Sequence, residues 1–426
     1  MSIVPVPLRR PVVARDTDES HRAATPLELL FDLVFVVAIA SNAAQLHHGL
    51  SDAHYEAVVG YSLTWFAIWW AWMNYTWFAS AYDNDDVGFR LLTFVIMTGA
   101  LFLAAGVPDI FADGQSVTVV IGYAIMRFGM VGLWLRAAAG HPERRQTALW
   151  YAGGITVVQI GWIARLAIEP GSPWLVASFV VLAAAELVVP VLAERGHGYT
   201  PFHPHHIAER YGLLTIIVLG EVILASVLAI QGAMSSTLAG GSGGHTAPDA
   251  AGPAGGGGLT WAMAPLILGG LLVVFALWWL YFSRDHATIV ENPRAVWLFG
   301  YGHLPIFASV AAVGAALAAG VDVVQGVSDA GVRPIALTLA VAITVVALTL
   351  SGLHALGSRE TARTMLPAVV VSVLCLAVAL AVPSMGVAVL LMGLVLSGLV
   401  AQRVLSVQAS AKGSRPGSAQ GRGTGA

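Results

Sequence analysis

The sequence contains a single cysteine, Cys375, and it lies in an apolar run. One cysteine cannot form an intrachain disulfide, so disulfide bonds have no part in stabilising this fold. The sequence also has no Walker motif, no GxSxG motif and no CxxC pair. ATP hydrolysis, serine hydrolase chemistry and thiol redox chemistry therefore have no support in the sequence, and no cofactor is expected.

Charged residues are also scarce. They make up 11% of the 426 residues, whereas 57% are hydrophobic, and the formal net charge is only −3. This composition excludes a soluble globular protein of average type and predicts a polytopic membrane protein whose main surroundings are the lipid bilayer. The absence of a basic excess argues against a nucleic-acid partner.

Apolar runs long enough to cross a bilayer recur along the chain, and they predict an all-α membrane protein with twelve transmembrane helices. The runs cover residues 27–46, 56–80, 89–107, 117–138, 147–168, 174–193, 207–230, 261–283, 295–319, 333–353, 363–382 and 385–405.

The positions of the basic residues predict the orientation of these helices, because cytoplasmic loops are enriched in Lys and Arg. With both termini inside, 18 of the 21 basic residues lie at inner ends, and only Arg165 and Arg333 lie at outer ends. Residues 1–26 read as a cytoplasmic arm and not as a cleaved signal peptide. We therefore expect a multi-pass protein of the bacterial cytoplasmic membrane.

An internal repeat is visible when the two halves are compared. Phe66–Trp70 in the second run matches Phe275–Trp279 in the eighth at an offset of 209, and Glu28 aligns with Glu209 at an offset of 181. The difference nearly equals a Gly-rich stretch at 232–258, which reads as an insertion in an outer loop. Since each half has an even number of helices, we expect two parallel six-helix repeats, 27–193 and 207–405. Residues 194–206 form a cytoplasmic His-rich loop between them, and 406–426 read as a disordered cytoplasmic tail.

The first helix carries two acids, Glu28 and Asp32, which are four residues apart and so share one face. Thr25 and Pro26 supply an N-cap and a first-turn proline, and an acid in the first turn suits the helix dipole. A structural role is therefore enough to explain Glu28. Asp32 lies deeper in the membrane, which favours a functional or inter-helix role.

Three further charged residues lie within predicted spans: Arg127, Glu186 and Glu221. Such charges are costly in a bilayer, so each should be paired, protonated or turned towards protein or water. Glu221, Glu186 and Asp32 are the candidate partners of Arg127. Glu221 shares a helix face with Arg210, and we expect it to face a polar interior with Arg127 or His303 nearby.

Histidines cluster before the seventh helix, where His203, His205 and His206 precede Glu209. These are weak candidates for a metal site, and a solvated loop whose histidines cap helices is the alternative. His303, close to Pro305, either lines a cavity or bonds to its own helix.

The aromatic run at 65–78, WFAIWWAWMNYTWF, is typical of helix packing and of the aromatic belt at a membrane interface. We therefore do not interpret it as a ligand-binding motif.

Two segments, PLELLFDLVFVVAIA and HHIAERYGLLTIIVLGEVIL, resemble the bacterial low-temperature-requirement A family (LtrA), and the resemblance extends from about Thr25 to residue 405. It rests on Glu28 with Asp32 and on the series His206, Glu209, Arg210, Gly220 and Glu221. The resemblance implies a multi-pass cytoplasmic-membrane protein linked to growth in the cold, and it implies no known reaction.

Three functions are compatible with these features. The leading hypothesis is a secondary transporter or permease of an unidentified small molecule or ion, with its site between the two halves and with coupling to protons as one option. The second is a membrane-embedded enzyme acting on a lipid or isoprenoid, with His206, Glu209 and His303 as acid, base or metal ligands. The third is a membrane sensor or scaffold that does not transport.

Overall fold

A computed structural model describes residues 6–14, 23–195, 198–240, 263–292, 295–356 and 361–413. The chain within these ranges is all-helical and contains no strand. The helices are α1 (Pro26–Ser51), α2 (Ala57–Tyr82), α3 (Val87–Asp113), α4 (Val117–Gly140), α5 (Arg145–Ala164), α6 (Trp174–Glu194), α7 (Pro204–Gly240), α8 (Ala264–Phe282), α9 (Ala287–Val290), α10 (Val296–Gln325), α11 (Val332–Leu356), α12 (Thr361–Ala381) and α13 (Met385–Gly413).

Eleven helices in the described part of the chain are long and apolar enough to cross a membrane. These are all the helices above except the one-turn helix α9 and the aromatic helix α2. Although α2 is 26 residues long, its tryptophans, tyrosines and polar residues lower its hydropathy. The multi-pass architecture is thus present, but the expected count of twelve spans is not confirmed.

Several helix ends differ from the sequence expectations. α7 begins at Pro204, so His205 and His206 belong to its first turn and not to a loop. The same helix continues to Gly240, into the Gly-rich run that was expected to be a loop from residue 232; residues 241–258 of that run lie outside the described residues. α13 likewise continues to Gly413, past the expected start of the tail at 406, and residues 414–426 lie outside the described residues.

The helices of each half are packed in the same order. α3 packs against α1 and α4, and α4, α5 and α6 follow one another; in the second half α10 packs against α7 and α11, and α11, α12 and α13 follow one another. α1 also packs against α10, and α2 packs against α7 and α10, so these helices join the halves. The second helices differ, because α8 packs mainly against α13.

α2 is an interior helix, contrary to the interfacial belt expected from its aromatic run. Its tryptophans Trp65, Trp69, Trp70 and Trp72 are each at most 2% exposed. Trp279, the expected repeat counterpart of Trp70, is 51% exposed on α8. The two tryptophan pairs therefore have different surroundings, because α2 is enclosed by other helices whereas α8 lies at the periphery.

The N-terminal arm packs against the ends of α2 and α3. The backbone N–H of Val87 donates to the carbonyl of Pro7, and the backbone N–H of Arg10 donates to Asp86 Oδ2 at 2.9 Å. Arg136 of α4 forms an ion pair with the same oxygen at 2.5 Å. Burial raises the pKa of Asp86, but these donors outweigh burial and the net pKa is lowered.

Candidate functional site

The beginning of α1 places two carboxylates in the protein interior. Thr25 and Glu28 form a capping box, in which Thr25 Oγ1 accepts from the Glu28 N–H and Glu28 Oε2 accepts from the Thr25 N–H. The expected cap at Thr25 is therefore present. Asp32 follows one turn later on the same face, and both acids are fully buried.

The beginning of α7 places two basic side chains at matching positions. α1 and α7 both start with a proline, and His206 and Arg210 are the third and seventh residues of α7, as Glu28 and Asp32 are of α1. His206 contacts Glu28 and Arg210 contacts Asp32, each across 178 positions of sequence. The two helices therefore run in the same direction in register, and the offset is 178, three fewer than the 181 of the sequence alignment.

Arg210 is the centre of this charge cluster. Its Nη2 donates to Asp32 Oδ1 at 2.6 Å and its Nε to Asp32 Oδ2 at 3.3 Å, which is a bidentate arrangement. Its Nη1 also lies 2.9 Å from Glu28 Oε1, as an ion pair without the alignment of a hydrogen bond. One guanidinium thus holds the acids of two successive turns of α1.

His206 and Trp72 complete the cluster. His206 Nε2 lies 3.1 Å from Glu28 Oε1, and Trp72 Nε1 of α2 donates to Asp32 Oδ1 at 2.7 Å. Two carboxylates face one guanidinium. With both carboxylates ionised, the cluster is neutral when His206 is protonated and carries one net negative charge when it is not. Because an uncompensated charge is unfavourable in the membrane interior, the cluster can bind a proton or another cation.

A second buried ion pair joins α4 and α6. Arg127 Nη2 lies 3.3 Å from Glu186 Oε1, and both side chains are at most 2% exposed. Tyr123 accepts a hydrogen bond from Arg127 and donates one to Glu186 at 3.5 Å. Of the three candidate partners named from the sequence, Glu186 is the one that Arg127 contacts. This pair lies within the first half.

The tryptophans of α2 link both acid sites, which the sequence reasoning did not detect. Trp70 Nε1 donates to Glu186 Oε2 at 2.9 Å, whereas Trp72 donates to Asp32. Residues two apart on a helix point to nearly opposite sides. α2 therefore passes between Glu186 and Asp32 and donates one indole N–H to each. A signal was present in the sequence: an aromatic helix with tryptophans on every face has no side left for lipid.

Glu221 is not part of either cluster. It is half-buried in the middle of α7, next to the exposed Ile223 and Leu224, and makes no hydrogen bond or ion pair with another described residue. Neither Arg127 nor His303 is its partner, because Arg127 contacts Glu186 and His303 contacts Tyr281. The side chains of α7 that form ion pairs lie in its first two turns, about three to four turns before Glu221.

The remaining histidine and acid candidates have separate partners. Glu209 Oε1 accepts from the backbone N–H of Ala24 at 3.3 Å. His203 Nδ1 accepts from the backbone N–H of His206 at 3.3 Å, and the rings of His203 and His205 lie 5.8 Å apart. Among the described residues there is no group of three or more metal-binding side chains. His206 is buried, which is not what a solvated loop predicts.

His303 belongs to a histidine group in the second half. Its Nδ1 donates to the Phe299 carbonyl at 2.7 Å and its Nε2 accepts from the Tyr281 hydroxyl at 2.9 Å. The expectation of a histidine bonded to its own helix is confirmed, and α10 continues through Pro305 to Gln325. Nearby, His286 Nε2 lies 3.3 Å from His354 Nε2.

A cavity with about 660 Å³ of space, including its mouth, lies where the two halves meet. Its walls come from α2, α4, α5 and α6 of the first half, from the segment 198–203 and from the start of α10. Trp77 of α2 lines it and donates to the Tyr211 hydroxyl at 3.0 Å. Tyr211 follows Arg210 in α7, so the cavity is connected to the charge cluster through one hydrogen bond and one peptide unit.

Comparison with known proteins gave two matches. The model of the family described as "Bacterial low temperature requirement A protein (LtrA)" matches residues 23–401. An uncharacterized protein of Rhizobium meliloti is 29% identical over 312 residues, which are 70% of this chain and 69% of that protein. The family match includes every residue of the charge cluster, the helices α4 and α6 that carry the Arg127–Glu186 pair, and the residues that line the cavity.

Proposed function

Because this chain belongs to the bacterial low temperature requirement A family, as its sequence motifs led us to expect, we propose that it is a proton-coupled secondary transporter of a small molecule. The observation that carries the proposal is the buried cluster of Glu28, Asp32, His206 and Arg210, which is built from both halves of the chain. Charges that join two halves inside a membrane are characteristic of coupling sites, because a purely structural contact could be made by apolar groups at lower energy.

The proposed architecture is two six-helix repeats related by an axis along the membrane normal. The in-register pairing of α1 with α7 supports a parallel relation, since inverted repeats would place these helices antiparallel. The shared packing order of the other helices supports it as well. With α2 counted as a span, the chain crosses the cytoplasmic membrane twelve times and both termini are cytoplasmic.

The proposed coupling uses the proton of His206. When His206 loses its proton, the cluster has one more negative than positive charge, and the attraction between α1 and α7 weakens. A change in the contact between the first helices of the two halves would alter the cavity, because Trp77 and Tyr211 connect that cavity to Arg210. Protonation and access to the cavity are thereby coupled.

No observation favours the enzyme alternative. His206, Glu209 and His303, which that hypothesis needs together, have different partners: Glu28, the Ala24 N–H and Tyr281. These residues therefore do not converge on a common reacting atom.

The test is solute-driven proton movement in proteoliposomes that hold the full-length protein and a pH-sensitive dye. Pools of small metabolites are added outside, and at least one should produce a saturable pH change that empty liposomes lack. His206→Gln should abolish the change, whereas His205→Gln, an exposed neighbour in the same turn, should retain it. A wild-type protein that moves no solute above the level of empty liposomes would refute the proposal. The family's description names a low-temperature requirement, and complementation of a cold-sensitive deletion strain would examine whether the proposed transport serves it.

A further inference from the structure

We infer that the cavity between the halves binds an alkylated ammonium group, as found in choline-like compounds, between its aromatic side chains and the Glu194 carboxylate. This inference rests on the proposed function, since it names the substrate class of the proposed transport site.

Aromatic rings form most of the cavity wall. They come from five parts of the chain, so the rings surround the space instead of covering one side of it. The aromatic lining residues are Trp77, Phe78, Trp134, Tyr151, Tyr199, Phe202, Trp297 and Tyr301. Ring faces carry partial negative charge and attract cations that are large and weakly hydrated, as in the aromatic cages that bind quaternary ammonium groups.

The rings are held in fixed orientations. Tyr151 stacks on Trp134 with ring centroids 4.1 Å apart, and Trp297 stacks on Tyr301 at 5.7 Å. Tyr301 also stacks on Trp70 at 6.1 Å, next to the ion pair of the first half. A preformed cage loses little conformational entropy when a ligand binds, which favours affinity.

Among the described lining side chains, Glu194 is the only ionisable acid or base apart from the tyrosine hydroxyls. Tyr151 donates a hydrogen bond to its Oε1 at 2.9 Å, and none of the described side chains that line the cavity carries a positive charge. Arg144 is close enough to interact electrostatically with Glu194, but it is not part of the lining. A cation that enters the cavity would therefore meet a carboxylate at the end of an aromatic enclosure.

Other ligand classes fit this wall less well. An anion would be repelled by Glu194 and would find no cationic side chain on the wall. A small divalent metal ion would need several charged or strongly polar ligands, whereas the described wall offers one carboxylate, the Asn74 amide and the neutral hydroxyls of Thr200 and the tyrosines. A neutral apolar molecule would remove water from Glu194 without compensating its charge. An alkylated ammonium group supplies both the apolar surface and the positive charge.

Tyr301 and Trp134 give the cavity further polar groups. The Tyr301 hydroxyl and the Trp134 Nε1–H are buried and have no hydrogen-bond partner among the described residues. Both side chains line the cavity. They could donate to a hydroxyl or an ester oxygen carried by the same ligand, which a choline-like compound has and tetramethylammonium lacks.

The experiment titrates the purified full-length protein with choline and with 3,3-dimethyl-1-butanol, its neutral isostere, and follows binding by calorimetry. Choline should bind saturably, and the isostere should bind at least about tenfold more weakly, which corresponds to about 1.4 kcal/mol. Glu194→Gln should weaken choline binding by about tenfold and remove the difference between the two compounds. Equal binding of both compounds would overturn the inference.

Two matched tryptophan variants separate a loss of the binding site from a loss of the fold. Trp297→Leu should weaken choline binding, whereas Trp174→Leu should leave it unchanged, because Trp174 is 70% exposed on α6 and does not line the cavity. Unchanged binding in a folded Trp297→Leu protein would contradict the cage. Elution as a single species in size-exclusion chromatography shows that each variant is folded.

The same head group also occurs in lipids, so a third titration uses a short-chain phosphatidylcholine. Binding of free choline identifies a soluble ligand, and binding of the lipid alone identifies a lipid head group; either result supports the recognised chemistry, and failure of both refutes it. Choline uptake into proteoliposomes separates this inference from the proposed function. Choline binding without uptake would contradict the proposed transport of choline but would support the ammonium-binding site. Proton movement driven by another metabolite, without binding of any ammonium compound, would contradict this inference and leave the proposed function intact.

Discussion

Asp32 and Arg210 are 178 residues apart in sequence and meet at 2.6 Å, at the same position of two parallel helices. α1 contributes acids at its third and seventh residues, and α7 contributes bases at the same two places. In the proposed arrangement of two parallel repeats, equivalent positions near the axis lie side by side, so complementary charges there attract across the axis. Identical residues in both repeats would have placed like charges together.

Substitutions at Arg210 and at Asp32 should differ in how much they lower the free energy of unfolding. Arg210→Gln leaves two buried carboxylates without their guanidinium and should destabilise the protein by about 3–5 kcal/mol. Asp32→Asn should cost less, because Glu28 still forms an ion pair with Arg210. The double variant should recover part of the loss of Arg210→Gln, measured as membrane abundance and thermal stability in detergent. The absence of any recovery would show that the pair is not coupled in this way.

The indole of Trp70 should matter more than that of Trp65. Trp70→Phe removes the N–H that Glu186 accepts and should destabilise the protein by about 1.5–3 kcal/mol beyond the packing loss. Trp65 is equally buried in α2, but its Nε1–H has no partner among the described residues, so Trp65→Phe is the matched control. Thermal unfolding of the two variants measures the difference. Equal losses would mean that the hydrogen bond to Glu186 contributes nothing.

Glu169 and Glu143 should lie on opposite sides of the membrane. In a Cys375→Ala background, Glu169→Cys between α5 and α6 should react with an impermeant maleimide in intact cells. Glu143→Cys between α4 and α5 should react only after lysis. The reason is the bias of basic residues, 18 of 21 of which lie at the ends assigned to the cytoplasm. The reverse labelling pattern would invert the proposed topology.

His286 should make stability depend on pH. It lies between α8 and α9, and burial lowers its pKa from 6.5 to about 4, although Asp285 acts in the opposite direction. Between these two values the unfolded chain binds the proton more tightly than the folded protein, so stability falls as the pH falls. The effect is about 1.4 kcal/mol for each unit of pKa difference.

Thermal unfolding between about pH 7 and pH 4 measures this dependence. His286→Gln should reduce the slope, whereas His48→Gln, an exposed position near the end of α1, is the control. An unchanged slope in His286→Gln would assign the dependence to other groups.

Some features could be predicted from the sequence because they depend on neighbouring residues along the chain. The cap at Thr25, the apolar spans, the shared face of Glu28 and Asp32 and the family all follow from local pattern and motif. Helix ends were less accurate, as Pro204 and Gly240 show. Local composition did not define where α7 begins or ends.

The choice of partners was decided by tertiary structure. The sequence placed three acids within reach of Arg127, and only the packing of α4 on α5 and of α5 on α6 selects Glu186. It also placed Glu221 and Arg210 on one face of α7, but the neighbouring helices bury Arg210 fully and leave Glu221 half-buried. Helical period defines which residues share a face. Which helix covers that face depends on contacts between residues far apart in sequence, and for this reason the Asp32–Arg210 pair and the aromatic cavity could be found only in the folded chain.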